Sequence, residues 1–278
     1  MIDIQNVTFA YQPRVDVLKD FSLSFDGGGI YGLLGKNGTG KSTLLYLIMG
    51  LLHPQKGTVR LDGVETRLRR PDTLNRLFIV SEEYNLPSIR LSDYLKAIRP
   101  FYPRFSDQLL RQCMEGFDMP QDVNLGHLSM GQKKKVYMCV ALATNTQVLL
   151  MDEPTNGLDI PSKSQFRKVV AGSMGDDKTI VISTHQVRDV ELLLDHLTII
   201  EPGRVMLNSD VASLCQRLSF VTIDRNAVPA NALYAEPCMQ GYNIVKPNEG
   251  EETPINLELL FNALISNGAE VRKAMQTI

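Results

Sequence analysis

Between a short apolar run, Ile30–Leu34, and a longer one, Thr43–Leu52, the chain reads Gly35-Lys36-Asn37-Gly38-Thr39-Gly40-Lys41-Ser42-Thr43. This is the pattern G-x-x-x-x-G-K-[ST], and nothing else in the sequence restricts the fold as much. Its glycines let the backbone curl so that successive N–H groups converge on one anion, a path closed to residues with a Cβ. A loop of this kind needs a buried strand to deliver it and a helix to begin at its end, with the positive end of the helix dipole on the same anion. Ile30–Leu34 reads as that strand, and Thr43–Leu52, closed by Pro54, as that helix. Lys41 then supplies charge to the β- and γ-phosphates of a nucleoside triphosphate, and Ser42 offers its hydroxyl to Mg²⁺. The competing reading is a glycine-rich turn that matches by chance, which the strand–helix context disfavours.

The rest of the chain supplies what such a loop needs. Leu77–Val80, Val148–Met151 and Thr179–Ser183 are short apolar runs, the pattern of parallel strands covered on both faces. Ile2–Phe9 and Phe21–Phe25 read as further strands, with Gly27-Gly28-Gly29 as punctuation, so the class is α/β. Leu91–Gly126 differs in character. Leu91–Ile98 and Phe105–Phe117 have helical spacing, and Pro87, Pro100, Pro103 and Pro120 mark the breaks, as in an inserted helical subdomain. Past Asn208 the pattern weakens to one strand, Leu218–Ile223, a solvated loop at Glu249–Glu252 and one helix, Pro254–Asn267. That tail is small for a core of its own and is expected to pack on the rest or on a partner.

Net charge narrows the partners. The 29 basic and 31 acidic residues leave −2, so no global positive field argues for nucleic acid or an anionic membrane surface. The start, Met1-Ile2-Asp3-Ile4-Gln5, has neither the basic nor the apolar region of a signal peptide. The most apolar stretch, Val136–Met151, is broken by Thr144-Asn145-Thr146-Gln147 and is too short to span a bilayer. Cys113, Cys139, Cys215 and Cys238 have no paired spacing and read as buried reduced thiols rather than metal ligands or disulfides. The expectation is a soluble, intracellular, globular protein.

Val148-Leu149-Leu150-Met151 ends in Asp152-Glu153-Pro154. A strand end in a parallel sheet faces the ligand crevice, which brings both carboxylates near the phosphates. Asp152 suits a hard cation, directly or through water, and Glu153 is available to polarise a water for in-line attack on the γ-phosphate. Acids also stand at strand ends simply to start a turn. Their place downstream of a phosphate loop favours chemistry.

Leu128-Ser129-Met130-Gly131-Gln132 resembles the signature motif of ABC ATPases, usually L-S-G-G-Q. Other elements follow the same family order from about Met1 to Asn208. Tyr11 falls where an adenine-stacking aromatic is expected, Thr155-Asn156-Gly157-Leu158-Asp159 looks like the D-loop, and His185 looks like the switch histidine. Tyr11 and His185 also admit a plain structural role; His53, His127 and His196 have no such context. The run Lys133-Lys134-Lys135 reads as a solvated helix start.

The resemblance implies a P-loop NTPase core of ABC type with an antiparallel β edge, built from residues 1–90 and 148–210. It implies a helical subdomain with the signature over 91–147 and a small α+β extension over 211–278. It implies ATP and Mg²⁺ as cofactors, with Tyr11, the loop Gly35–Thr43, Ser129, Gly131, Gln132 and Asp159 on the nucleotide. Glu153 and His185 would be catalytic, and Ser42, Asp152 and Glu82 would face the metal. Cassettes of this family pair head to tail, so the Ser129–Gln132 loop of one would close over ATP held by the other, a second copy or a paralogous subunit. Separate membrane permease subunits would tether the protein to the inner face of the cell membrane.

Two positions depart from the family. Glu82 stands where Gln is usual, and a carboxylate can ligate Mg²⁺ but cannot donate as an amide does. It is expected to hold the metal or its water, or else to point to solvent. Met130 replaces the usual glycine, with Ser129, Gly131 and Gln132 retained. Phe101–Ser106 and the Leu257-Glu258-Leu259-Leu260-Phe261 segment look like those of exporter-type bacterial and archaeal cassettes. The alternative is a soluble ABC-type ATPase of translation or DNA maintenance, whose tandem cassettes or long heptad insertions are not seen here.

Overall fold

Three sheets carry the chain in the computed structural model, which describes residues 1–224 and 228–276. Strands β1 (Ile2–Gln12) and β2 (Val15–Phe25) form an antiparallel hairpin, and β3 (Gly29–Leu34) then enters the central sheet ahead of α1 (Lys41–Ile48). The chain returns to the first sheet as β4 (Lys56–Leu61) and β5 (Val64–Glu65), and α2 (Pro71–Leu74) leads to β6 (Leu77–Val80). Helices α3 (Leu91–Ile98), α4 (Asp107–Gly116) and α5 (Met130–Ala143) precede β7 (Val148–Asp152). There follow α6 (Ile160–Gly172), β8 (Thr179–Thr184), β9 (His196–Glu201) and β10 (Arg204–Asp210). The last part holds α7 (Val211–Arg217), β11 (Leu218–Ile223), β12 (Tyr234–Cys238), β13 (Gly241–Pro247) and α8 (Leu257–Gln276).

The central sheet has the order β10-β9-β3-β8-β7-β6, parallel from β9 to β6 and closed at one edge by antiparallel β10. Its strands serve two cores. Leu33, Val148, Leu150 and Val181 face the core shared with α1 and the sheet β2-β1-β4-β5, where Phe21 and Phe25 are fully buried. Leu34, Leu149, Met151, Ile180 and Ile182 face the helices. Alternate side chains point to opposite faces of a strand, so a sheet covered on both faces demands an unbroken apolar run. The apolar stretch 136–151 is α5 followed by β7: a helix buried around most of its surface against α4 and β6, then a central strand. Among the described residues no helix is long and apolar enough to cross a membrane.

The tail joins the larger core instead of making one of its own. Leu257, Leu260, Ala263 and Leu264 of α8 cluster with Leu214, Leu218, Phe220 and Val245 and with the helix-side residues of the central sheet. The strand expected at Leu218–Ile223 is β11, paired antiparallel with β13. The expected helix over 254–267 begins later, at Leu257, and runs further; Asn267 (φ −134°, ψ 40°) only kinks it. Of the four thiols, Cys113 and Cys139 are buried as expected, whereas Cys215 and Cys238 are half-buried.

Candidate active site

β3 hands the chain to the phosphate loop at Gly35, where an added Cβ would stand 2.7 Å from both the Ile200 carbonyl oxygen and Thr39 Oγ1. Gly40 (φ 98°) turns the loop into α1, and no side chain caps that helix, so its first-turn N–H groups point to whatever the loop holds. Lys41 is buried, and its ammonium donates to the carbonyls of Gly35 (2.8 Å) and Lys36 (3.2 Å). Burial lowers its pKa, against the pull of Glu153, Asp152 and Glu82. A cavity of about 380 Å³ opens over the loop, lined by Tyr11, Val17, Asn37, Gly38, Lys41, Ser42, Glu82 and Glu153. A larger one, about 540 Å³, adjoins Gly35 and Lys36 and is walled by His185, Asp189 and, from α8, Phe261 and Asn262; it contains neither acid of the strand-end pair.

The acid pair is buried. β7 and β8 run in parallel register with Asp152 opposite Ser183, and the Ser183 hydroxyl donates to Asp152 Oδ1. Glu153 has a left-handed backbone (φ 46°), a conformation that costs a residue with a Cβ roughly 1–2 kcal/mol. Its surroundings hold it there. The Glu153 amide donates to the Ser183 carbonyl (2.9 Å), and Lys134 Nζ donates to the Glu153 carbonyl at 2.7 Å and to that of Asn156 at 2.9 Å. Its carboxylate accepts from Thr184 Oγ1 (2.9 Å), from the His185 amide (3.0 Å) and from His185 Nδ1 (2.8 Å). An ionised carboxylate only accepts, so the proton of this last bond sits on Nδ1. Lys41 Nζ lies 4.0 Å from Glu153 Oε1.

Lys134 corrects the reading of 133–135 as a solvated run. It is 5% exposed and turns into the site, because α5 starts beside the carbonyls of Glu153 and Asn156, just beyond β7, and one ammonium donates to both. Lys135 reaches Gln165 Oε1 at 3.1 Å. A run of three identical cations carries no sign of which one points inward, so periodicity alone does not single out Lys134.

Tyr11 is exposed at the cavity mouth, its hydroxyl 3.2 Å from Thr43 Oγ1 and its ring edge-on to Phe9. Val17, unremarked in the sequence, lines the same cavity. Glu82 lines it too, and its Oε1 also accepts from Asn156 Nδ2 at 2.9 Å. Ser129, Gly131, Gln132 and Asp159 do not line this cavity. Ser129 caps α5 in a reciprocal pair with Gln132: Gln132 N donates to Ser129 Oγ (3.3 Å), and Ser129 N donates to Gln132 Oε1 (3.0 Å). Asp159 caps α6 by accepting from Ser162 N at 2.9 Å. Exposed apolar side chains, Met130 and Ile160, stand next to these two caps.

A phosphate loop between parallel strand and helix, with two acids and a histidine delivered by the neighbouring strand ends, defines a P-loop nucleotide-hydrolase site. The ABC transporter family model matches residues 18–156. The ABC transporter ATP-binding protein YtrB of Bacillus subtilis is 25% identical over 95% of this chain and 97% of its own length. The Nod factor export ATP-binding protein I of Burkholderia orbicola is 32% identical over 73% of this chain and 68% of its own. Among solved structures, the ATP-binding subunit of an ABC transporter superposes with TM-score 0.68 (22% identity, 77% of this chain and 91% of that one). A dimeric bacterial ABC transporter cassette does so with TM-score 0.64 (24% identity, 76% and 99%). The chain belongs to the ABC transporter family as an ATP-binding subunit, with the α/β cassette fold and the ATPase activity of that family.

Proposed function

We propose that this chain hydrolyses ATP as one of two cassettes joined head to tail around two Mg-ATP, driving export through separate membrane subunits. One observation carries the chemistry: Lys41 at the start of α1, Glu153 after β7 and His185 after β8 converge on the cavity and its edge. In this reading Lys41 exchanges its loop carbonyls for the β- and γ-phosphates, and the bare N–H groups of α1 hold the same oxygens. Tyr11 stacks on the adenine from the cavity mouth.

Ser42, Asp152 and Glu82 would hold Mg²⁺. The donor set is all oxygen, as a hard cation requires, and the described residues contain no cluster of three or more acidic, His or Cys side chains with metal-site geometry. Mg²⁺ is commonly held by one or two carboxylates together with substrate phosphates, which this set fits. When bound it neutralises charge on the β- and γ-phosphate oxygens. Glu153 takes the proton of the attacking water, and His185 aims it through two hydrogen bonds. The far edge of the ring, Nε2, serves the γ-phosphate and donates there when the ring carries both protons.

That Ser129, Gly131, Gln132 and Asp159 lie outside their own chain's cavity supports their acting on the nucleotide of a partner cassette, and exposed Met130 and Ile160 beside them suit such an interface. In this reading residues 1–90 and 148–210 are the ATP-binding core, 91–147 the signature-bearing unit and 211–278 an extension, and the protein sits at the inner face of the membrane through its permease. Export is favoured by the Nod factor export relative; the methionine import protein MetN of Carboxydothermus hydrogenoformans shares 33% identity over 74% of this chain.

The test is Mg²⁺-dependent ATP hydrolysis by the purified chain beside Glu153→Gln, with size-exclusion profiles of both in ATP. Turnover in the parent, lost in the variant together with a stable ATP-bound dimer, is the expected result. Unchanged turnover in the variant removes Glu153 from the mechanism. Direction is read from cargo movement in inside-out vesicles containing the co-purified membrane subunits.

A further inference from the structure

Glu82, Asn156 and Gln186 follow β6, β7 and β8, and their side chains form one unbroken line of hydrogen bonds. Asn156 Nδ2 donates to Glu82 Oε1 at 2.9 Å, and Gln186 Nε2 donates to Asn156 Oδ1 at 2.9 Å. Lys163 Nζ, on α6, donates to Gln186 Oε1 at 3.0 Å and pairs with Asp189 Oδ2 at 2.7 Å. The line begins in a group that can only donate, the Lys163 ammonium, and ends in one that only accepts, the Glu82 carboxylate. Both amides between them therefore have a single orientation, because flipping either sets donor against donor or acceptor against acceptor. A glutamine at 82 would be compatible with the same direction but would leave the last bond neutral. The carboxylate makes it charge-assisted, roughly twice as strong.

The line is anchored to Glu153 at two points. The Gln186 backbone N–H donates to Thr184 Oγ1 (2.9 Å), and that hydroxyl donates to Glu153 Oε2 (2.9 Å). At the other point, Lys134 binds the carbonyls of Asn156 and Glu153 together. Glu82 meanwhile lines the cavity that contains Ser42, so a cation held there competes with Asn156 for its carboxylate.

We propose that this polarised line sets the position of the His185 loop and of Glu153 according to what engages Glu82, which makes Asn156 and Gln186 positioning residues for hydrolysis. The proposal rests on the ATPase reading above for its consequence in turnover, not for the existence of the line.

The experiment is a double-mutant cycle read by thermal unfolding without nucleotide and by kcat and KM for ATP. Asn156→Asp removes the donor to Glu82 and sets carboxylate against carboxylate. It should lower Tm by about 2–4 °C, and kcat by about tenfold with little change in KM. Glu82→Gln in that background restores a donor–acceptor pair with its sense reversed, while the carboxylate introduced at position 156 still accepts from Gln186. The double variant should regain the Tm and kcat of Glu82→Gln alone. Gln186→Met, which keeps bulk and removes both hydrogen bonds of the Gln186 side chain, should reproduce the loss of kcat and decides the matter if Asn156→Asp does not fold. Strictly additive Tm effects overturn the line. Coupled Tm values with no loss of kcat in Asn156→Asp or Gln186→Met overturn its positioning role. A parent without turnover overturns the ATPase reading, while the Tm cycle still decides on the line.

Discussion

Among single residues, two buried positions show how chemistry follows from what each one touches. Gly35 has no room for a methyl group, so Gly35→Ala should push the loop off the Ile200 carbonyl and cost about 1–3 kcal/mol. A melt should detect that loss, and a nucleotide titration should show weakened ATP binding. Lys178 is 2% exposed, donating to the Ser173 carbonyl at 3.1 Å, and burial pushes its pKa down to about 8. The sign of the resulting pH dependence is fixed by proton counts. Between about 8 and the ordinary lysine value the unfolded chain holds the proton and the folded one has released it, so this lysine adds stability as pH rises through that window. Denaturant unfolding of the parent against Lys178→Met at pH 7 and pH 10 should show the gain in the parent alone.

Elements depend on caps that local sequence supplies. Asp210 accepts from Ser213 N at 2.7 Å and starts α7, the first element of the tail. Hydrogen bonds from Ser213 hold its carboxyl below the ordinary range. A depressed carboxyl stabilises the fold above its unfolded pKa and loses that contribution as pH falls through the folded one. Asp210→Ala should therefore cost about 1 kcal/mol at pH 7, and the difference from the parent should vanish well below pH 4; paired melts check both. Ser106, Ser129 and Asp159 cap α4, α5 and α6 in the same way, each standing one position before the helix it starts. What α8 buries is not legible in this manner. Its apolar spacing is visible in the sequence, but its partners on α7, β11 and β13 lie in segments whose own pattern is weak.

For the molecule as a whole, the consequence is that the tail belongs to the core. Leu257, Leu259, Leu260, Ala263, Leu264 and Val271 are all buried. Exposing a buried side chain the size of leucine costs about 1.5–3 kcal/mol, so losing several approaches the roughly 5–15 kcal/mol by which a domain is stable. A chain ending after Thr253 should show no cooperative melt, and a soluble product with near-parent Tm would contradict this packing.

Local sequence is enough to specify the phosphate loop, the strand–helix pair around it, the acids at the end of β7 and the histidine after β8. Each of these is a contiguous motif or a short-range period, so backbone preference and side-chain type along the chain suffice for it. Packing in three dimensions was needed to select Lys134 over its neighbours as the lysine that turns inward, to bring Glu82 to Asn156 as well as to the cavity, and to complete the larger core with α8. These outcomes depend on groups far apart in the chain. An ammonium at 163 and a carboxylate at 82 orient two amides only after three strand ends have been packed side by side, and burial selects one of three lysines only where two carbonyls await it.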